Sequence, residues 1–153
     1  MHMEKERASC GGRAQVVVGL GNPDRSDDGV GPAVVQALGS VEAEVWESLR
    51  TGLPLAQALV GFRRALVVDG APFLPAGEFA LFPLGPEQGS SYPHGLGLAQ
   101  ALELLARAGQ EVPEVWALAI GIPADPPFGR GLSPEVARAV SAAVAEVKKW
   151  LEN

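Results

Sequence analysis

The sequence predicts an α/β fold, a three-layer α/β/α sandwich around a mostly parallel, twisted sheet. Short apolar runs alternate along the chain with segments of helical periodicity. The apolar runs are continuous, which is typical of strands that helices cover on both faces. Strands that alternate with helices are joined by right-handed crossovers, and this connection makes neighbouring strands parallel.

The length of 153 residues fits one folded unit. Residues 1–14 are charged and then rich in glycine, so we predict a flexible N-terminal tail there and a single domain over residues 15–153. His2 lies in this tail and is therefore a poor ligand candidate. Cys10, also in the tail, is the single cysteine of the chain, so it cannot form an intrachain disulfide.

Composition argues against several classes of protein. Hydrophobic residues make up 47% of the chain and charged residues 20%, which indicates a folded protein rather than a disordered one. The net charge of -6 offers no basic stripe to a phosphate backbone, so no nucleic-acid partner is expected. No apolar run reaches the roughly 18 to 20 residues of a membrane span, and the N-terminus is too polar for a signal peptide. We therefore expect a cytoplasmic protein with no membrane span.

The first half of the chain predicts a strand, a helix, a second strand and a second helix. In that order they are expected at residues 15–20, 30–40, 43–49 and 50–62. Proline near the start and glycine near the end mark the first helix. Four apolar residues recur at helical spacing in the second helix, namely Leu53, Ala56, Leu59 and Val60.

The second half predicts three further strands and two long helices. The strands are expected at residues 65–70, 77–84 and 114–123, and the helices at residues 95–108 and 133–151. Pro83 cannot donate to a strand ladder, which indicates an edge strand. Ser133 is the predicted N-cap of the last helix, with Pro134 at its first position and Glu135 favourable to the helix dipole.

The turn after the first strand, "GLGNPDRSDDGVG", has carboxylates where nucleotide-binding folds have glycines. The third glycine of a GxGxxG motif would fall at Asp24, and a carboxylate there repels a pyrophosphate. Glu47 has the position of a ribose-binding acid, but this does not compensate for the missing third glycine of the motif. The sequence therefore disfavours a dinucleotide site.

Carboxylates and one histidine are predicted to meet at one edge of the sheet. Asp27 and Asp28 follow the first strand, Asp69 ends the third strand, and His94 precedes a long helix. In open α/β sheets, ligands bind in the crevice outside the carboxyl ends of the strands. Oxygen and nitrogen ligands with open positions suit nickel or zinc, which makes an open metal site one interpretation of these residues.

Each of these residues also has a purely structural interpretation. Asp27 and Asp28 suit the cap of a helix that begins near Gly29, and Asp69 suits a turn. His94 suits a loop histidine that bonds to backbone, and Asp125 a solvated loop acid. The three tryptophans indicate core or helix packing; they are Trp46, Trp116 and Trp150.

The opening "GLGNP" resembles peptidyl-tRNA hydrolase, an α/β enzyme whose motif continues to a Thr-Arg-His-Asn segment. In this chain the continuation is "DRSDDGVG", which lacks the histidine base, and the acidic charge does not suit tRNA. An esterase of this kind is kept as an alternative function.

Five segments in order resemble the hydrogenase maturation proteases over residues 16–151. They are "GLGNPDRSDDGVG", "RTGLPLAQAL", "ALVVDG", "PHGLGLAQALELL", and "AIGIP" with "GLSPEV". The resemblance implies an endopeptidase that removes the C-terminal extension of a nickel-iron hydrogenase large-subunit precursor after nickel insertion. "VVDGAP" departs from the commoner Asp-Ala of that family, just beyond the aspartate.

The same resemblance implies that Asp28, Asp69 and His94 bind metal. The metal is nickel held by the substrate, or another divalent cation in its place, and the precursor completes the ligand shell. For the bond-breaking step, either Asp28 or Asp69 acts as a general base, or the metal polarises the carbonyl and activates water. A second alternative function is a non-catalytic module that binds a peptide or a metal.

Overall fold

The computed structural model describes residues 14–85 and 93–153, without the side chains of residues 93–96. The predicted N-terminal tail lies outside the described residues, except for Ala14. In chain order the strands are β1 (Gln15–Leu20), β2 (Glu44–Ser48), β3 (Arg64–Ala71), β4 (Phe79–Pro83) and β5 (Glu114–Gly121). The helices are a 3-10 turn (Ser26–Gly29), α1 (Val30–Gln36), α2 (Gly52–Leu59), α3 (Pro93–Arg107) and α4 (Pro134–Leu151).

The strands form one sheet in the order β2-β1-β3-β5-β4. All neighbouring pairs are parallel except β4 with β5, which are antiparallel. Pro83 lies in β4 at the edge of the sheet, where its missing N–H group removes no inner ladder bond. The predicted α/β fold with a mostly parallel sheet and an edge strand at Pro83 is therefore confirmed.

Two apolar clusters cover the two faces of the sheet. Alternate strand residues such as Val17 and Leu66 pack with α1 and α4 on one face. Their neighbours Val16 and Val67 pack with α2 and α3 on the other face. Because side chains alternate along a strand, strands covered on both sides carry continuous apolar runs. These two faces produce the predicted three-layer sandwich.

The helical spacing correctly predicts α2 but does not by itself identify the face that is buried. Leu55, Ala56 and Leu59 are buried, whereas Leu53 is 40% exposed. At 100° per residue, Leu53 lies about 110° from the middle of the stripe that the buried residues form, so it does not face the sheet. Leu53 and Ala56 are three residues apart, as neighbours on one helix face are, but the face that packs on the sheet is the one with Leu55, Ala56 and Leu59.

The remaining aromatic and acidic residues of the sheet region have structural roles. Trp46 and Trp150 are buried and Trp116 is half-buried, as the packing interpretation predicts. Gln36 Nε2 donates a hydrogen bond of 2.9 Å to Glu47 Oε2, so this acid is bound by a side chain of α1. Across the parts of the chain that are described, no helix has the length and apolar character to cross a membrane.

Candidate functional site

The crevice between β1 and β3 is the switch point of the sheet, where the direction in which the chain adds strands reverses. After β1 the chain crosses to β2 on one side, and after β2 it crosses to β3 on the other. The loops that follow β1 and β3 therefore separate at the carboxyl edge of the sheet and leave a crevice between them. Such switch points are the ligand sites of open α/β sheets.

Glycines in the opening motif allow the acidic turn to lie directly on the strand ends. A Cβ atom added to Gly21, whose φ is +135°, would lie 2.0 Å from the carbonyl oxygen of Asp28. A Cβ atom on Gly31 would lie 2.4 Å from the carbonyl oxygens of both Leu20 and Val68. These glycines are therefore explained by close backbone packing, which replaces the phosphate-binding role that the motif has in nucleotide-binding folds.

Asp28 lines a cleft of about 120 Å³ at this edge. The carboxylate is half-buried, and its Oδ2 atom accepts a hydrogen bond of 2.9 Å from the backbone N–H of Asn22. The cleft is also lined by Leu20, Asn22, Ser48, Leu49, Arg50 and Thr51. Asp28 therefore faces a space bounded by the loop after β2 and the start of α2.

Asp69 lies near the end of β3 and has no exposed surface. Gly19 pairs with Val68, so the next residues, Leu20 and Asp69, follow side by side on β1 and β3. Val67 packs on the α2 and α3 face, and the alternation of a strand puts the Asp69 side chain on that same face. Asp69 is thus beside Leu20, which also lines the Asp28 cleft.

The backbone of His94 is in the first turn of α3, and its side chain lies outside the described residues. A Cβ atom on Gly97, one turn further along α3, would lie 3.7 Å from Cα of Gly52. Gly52 begins α2 and follows Thr51, a residue of the Asp28 cleft. The start of α3 therefore lies at the same edge of the molecule as the cleft.

No three His, Cys, Asp or Glu side chains among those described form a group that could hold a metal ion. The imidazole of His94 is not among the described side chains. The predicted set of Asp28, Asp69 and His94 therefore stays a prediction.

Neither carboxylate of the acidic pair caps the helix that follows it, so that structural interpretation is wrong. Oδ1 of Asp27 instead accepts a hydrogen bond of 2.7 Å from the backbone N–H of Ser133, at the start of α4. Asp28 bonds to Asn22, and the Gly29 N-cap of α1 has no side-chain cap. Ser133 occupies the predicted N-cap position, but its own side chain makes no cap bond.

The loop after β5 braces the acidic turn. Ser26, at φ +52°, donates from its backbone N–H to the carbonyl of Gly129 at 2.7 Å and from Oγ to the carbonyl of Pro127 at 2.6 Å. Arg25 adds a hydrogen bond of 2.8 Å to the carbonyl of Pro126. These contacts hold Ser26 in the left-handed backbone conformation. For a non-glycine residue that conformation costs about 1 to 3 kcal/mol. Asp125, in the same loop, is exposed, as predicted for a solvated acid.

Exposed apolar side chains concentrate at the carboxyl edge. Among the described residues the large exposed ones are Leu49, Leu53, Phe73, Phe79, Leu104 and Phe128. All except Leu104 lie on loops or element ends at this edge, and Leu49 lines the Asp28 cleft. Exposed apolar surface next to a polar cleft is typical of protein-binding sites. This surface and the cleft residues Ser48 and Thr51 were not predicted from the sequence. The available signal was their position, since Ser48 ends β2 and Thr51 directly precedes α2.

The chain is a single-sheet α/β protein that places Asp28 and Asp69 at the carboxyl edge of the sheet, beside the switch point. Several solved structures share this fold. The hydrogenase maturating endopeptidase HybD from E. coli is 22% identical, with 91% of this chain and 92% of that chain covered at a TM-score of 0.76.

Two archaeal structures are also similar. The NiFe hydrogenase maturation protease HybD from Thermococcus kodakarensis is 25% identical, with 90% of this chain and 99% of that chain covered at a TM-score of 0.66. The hydrogenase 2 maturation peptidase from Thaumarchaeota archaeon SCGC_AB-539-E09 is also 25% identical, covering 91% and 98% at a TM-score of 0.66. No protein-family model matches this chain, and no curated protein matches it by sequence. The resemblance to hydrogenase maturation proteases is thus confirmed in the fold.

Proposed function

We propose that the protein is an endopeptidase that removes the C-terminal extension of a nickel-iron hydrogenase large-subunit precursor after nickel insertion. The observation that carries the proposal is the fold shared with hydrogenase maturation endopeptidases over about nine-tenths of both chains. The cleft beside Asp28, the exposed Leu49 that lines it and the other exposed apolar side chains of the carboxyl edge suit a polypeptide substrate. The proposed compartment is the cytoplasm.

The proposed site consists of Asp28, Asp69 and His94, with nickel arriving as part of the substrate. Nickel accepts carboxylate oxygens and an imidazole nitrogen as ligands, and another divalent cation in its place would accept the same ligands. Three protein ligands leave coordination positions for groups of the precursor. The proposed site therefore distinguishes a nickel-loaded precursor from an empty one.

In the proposed reaction, water adds to the carbonyl carbon of the scissile peptide bond. The carbon–nitrogen bond then breaks, and the released amine takes up a proton. One route uses Asp28 or Asp69 as the general base that removes a proton from water, as in an aspartic-type endopeptidase. In the other route, a metal held by Asp28, Asp69 and His94 would supply polarisation of the carbonyl and activation of water.

Intact mass spectrometry tests the proposed reaction. The purified protein is incubated with a nickel-loaded large-subunit precursor and, in a parallel sample, with the nickel-free precursor. We expect the nickel-loaded precursor alone to lose the mass of its C-terminal extension. A precursor that co-elutes with the protein at unchanged mass would instead indicate a non-catalytic binding module.

A peptidyl-tRNA substrate provides the test of the esterase alternative. The proposed endopeptidase leaves the ester bond of peptidyl-tRNA intact, because the histidine base of that enzyme is missing from the opening motif. Release of the peptide from tRNA, measured by the same mass analysis, would contradict the proposal. No observation in the fold or the site favours this alternative.

A further inference from the structure

The carboxylate of Asp27 is buried but has no part in the proposed reaction. Only 4% of the residue is exposed. Its Oδ1 atom lies 2.7 Å from the backbone nitrogen of Ser133, which is 106 residues further along the chain. A buried carboxylate is costly unless it is hydrogen-bonded, so this contact identifies the part of the fold that Asp27 serves.

Asp27 provides an end cap for α4 from a different loop. α4 spans 18 residues, and the side chain of its N-cap residue, Ser133, makes no cap hydrogen bond. The Ser133 Oγ atom is buried and has no hydrogen-bond partner among the described residues. The Asp27 carboxylate accepts the N–H bond and is also favourable to the positive end of the helix dipole.

Core packing holds α4, and with it the Ser133 N–H group, in a fixed position. Val136, in its first turn, has no exposed surface and belongs to the core cluster that also contains Val147 and Trp150. An element with a buried stripe along its whole length opens only with a large part of the core. A residue bonded to the start of α4 is therefore held at a fixed place.

Asp27 and Asp28 are neighbours in the 3-10 turn, and their carboxylates bond in different directions. Asp27 bonds to the start of α4, whereas Asp28 bonds to Asn22 and faces the cleft. A single rigid peptide plane joins adjacent residues, so a displacement of the Asp27 backbone also shifts that of Asp28. The bond from Asp27 to Ser133 therefore restrains the backbone that presents Asp28.

We propose that Asp27 is a positioning residue, which holds the Asp28 carboxylate in its place by bonding the acidic turn to the N-terminus of α4. The effect on catalysis rests on the proposed function, in which Asp28 acts on the precursor. The effect on the position of Asp28 is independent of that function.

The kinetic test compares Asp27→Ala with Asp27→Asn in precursor cleavage. Asp27→Ala removes the acceptor, and we expect kcat to fall about 10- to 100-fold with KM changed by less than about twofold, as for a displaced catalytic group. Asp27→Asn keeps an Oδ1 acceptor for the Ser133 N–H group and restores most of kcat. Val136→Ala lowers the stability of the core, but the other buried residues of α4 keep the helix in place and the Asp27–Ser133 hydrogen bond is retained, so its kcat stays near the wild-type value.

A second measurement does not depend on activity. The backbone amide of Asn22 donates to the Asp28 carboxylate, so its hydrogen exchange reports the position of Asp28. We expect Asp27→Ala to speed the exchange of this amide at least tenfold, and Asp27→Asn and Val136→Ala to leave it within about twofold of wild type.

Unchanged Asn22 exchange in Asp27→Ala would overturn the positioning role, as would an equal increase in Val136→Ala. If the wild-type protein leaves the precursor intact, the proposed function fails, and the Asn22 amide still decides the role of Asp27. If the precursor is cleaved and Asp27→Ala retains the wild-type kcat, the proposed function stands and the inference about Asp27 fails.

Discussion

At the scale of single residues, backbone contacts explain the opening motif better than any bound ligand does. Gly21 lacks a side chain because the carbonyl of Asp28 occupies the position that a Cβ atom would take. The same glycine has a φ of +135°, which L side chains rarely adopt. The motif thus brings the acidic turn against the end of β1.

Gly21→Ala is expected to destabilise the protein and to displace Asp28. A clash with backbone, added to the unfavourable φ, lowers the free energy of unfolding by about 3 kcal/mol. Gly39→Ala is the matched control, because Gly39 also has a positive φ but no atom within 4 Å of the added Cβ. Its cost is limited to about 1 kcal/mol. Urea unfolding measures both, and equal losses in the two variants would contradict the packing explanation.

The site residues were predictable from the sequence to different degrees. Asp69 stands out because a carboxylate directly follows the apolar run of β3, and the face it occupies needs only strand alternation. Asp27 and Asp28 are adjacent in a turn, so no local pattern separates their roles. The difference between them depends on Ser133, whose contact with Asp27 spans 106 residues of chain.

At the scale of elements, the strands were predictable and the helix faces less so. β1 matches its prediction at both ends because a parallel strand buried on both faces is a continuous apolar run. β4 was predictable as an edge strand from Pro83. The exposed Leu53 of α2 was not, since helical spacing permits several stripes and the packing against the sheet selects among them.

Two side chains at the amino edge of the sheet bond the C-terminal end of α4, Gln15 to the carbonyl of Leu151 and Arg64 to that of Trp150. Arg64, the first residue of β3, donates from Nη2 to the carbonyl of Trp150 at 3.3 Å. The Arg64 guanidinium also lies 3.9 Å from the centre of the Trp150 ring. A cation near the helix C-terminus and over an aromatic ring stabilises both.

Arg64→Ala is therefore expected to lower the free energy of unfolding by about 1 to 2 kcal/mol, measured by urea unfolding. The neighbouring Arg63 is exposed, and its backbone N–H, which bonds to Ala14, is kept in Arg63→Ala. That control is expected to change stability by less than about 0.5 kcal/mol. Both variants keep precursor cleavage, because Arg64 lies at the amino edge of the sheet. A cost for Arg63→Ala as large as for Arg64→Ala would contradict this role.

At the scale of the whole molecule, the carboxyl edge differs from the rest of the described surface. It combines the Asp28 cleft with most of the large apolar side chains that are exposed, including Phe128 at 82%. Arg25 lies 5.2 Å from the centre of the Phe128 ring, which connects this loop to the acidic turn. A protein substrate that docks on this edge buries apolar surface as it brings its scissile bond to the cleft.

Leu49→Ser is expected to raise KM for the precursor about 3- to 30-fold, because it removes apolar contact beside the cleft. The matched control is Leu104→Ser. Leu49 and Leu104 are similarly exposed, at 63% and 59%, but Leu104 lies far along α3 from the cleft. Steady-state cleavage and thermal unfolding are measured for both variants. An equal rise of KM in Leu104→Ser would contradict docking at the carboxyl edge.

The proposed function depends on Asp28, Asp69 and His94 acting together at the carboxyl edge of the sheet. Its most direct test is the intact mass of a nickel-loaded precursor after incubation with Asp28→Asn, Asp69→Asn and His94→Gln. Asparagine keeps the size of each carboxylate and removes its charge, so the fold is kept, which circular dichroism checks. The exposed Asp125→Asn is the control, since asparagine tolerates the φ of +53° at that position.

We predict that wild type and Asp125→Asn remove the C-terminal extension and that the three site variants leave the precursor at full mass. Removal of the extension at the wild-type rate by all three site variants would show that these residues do not form the active site.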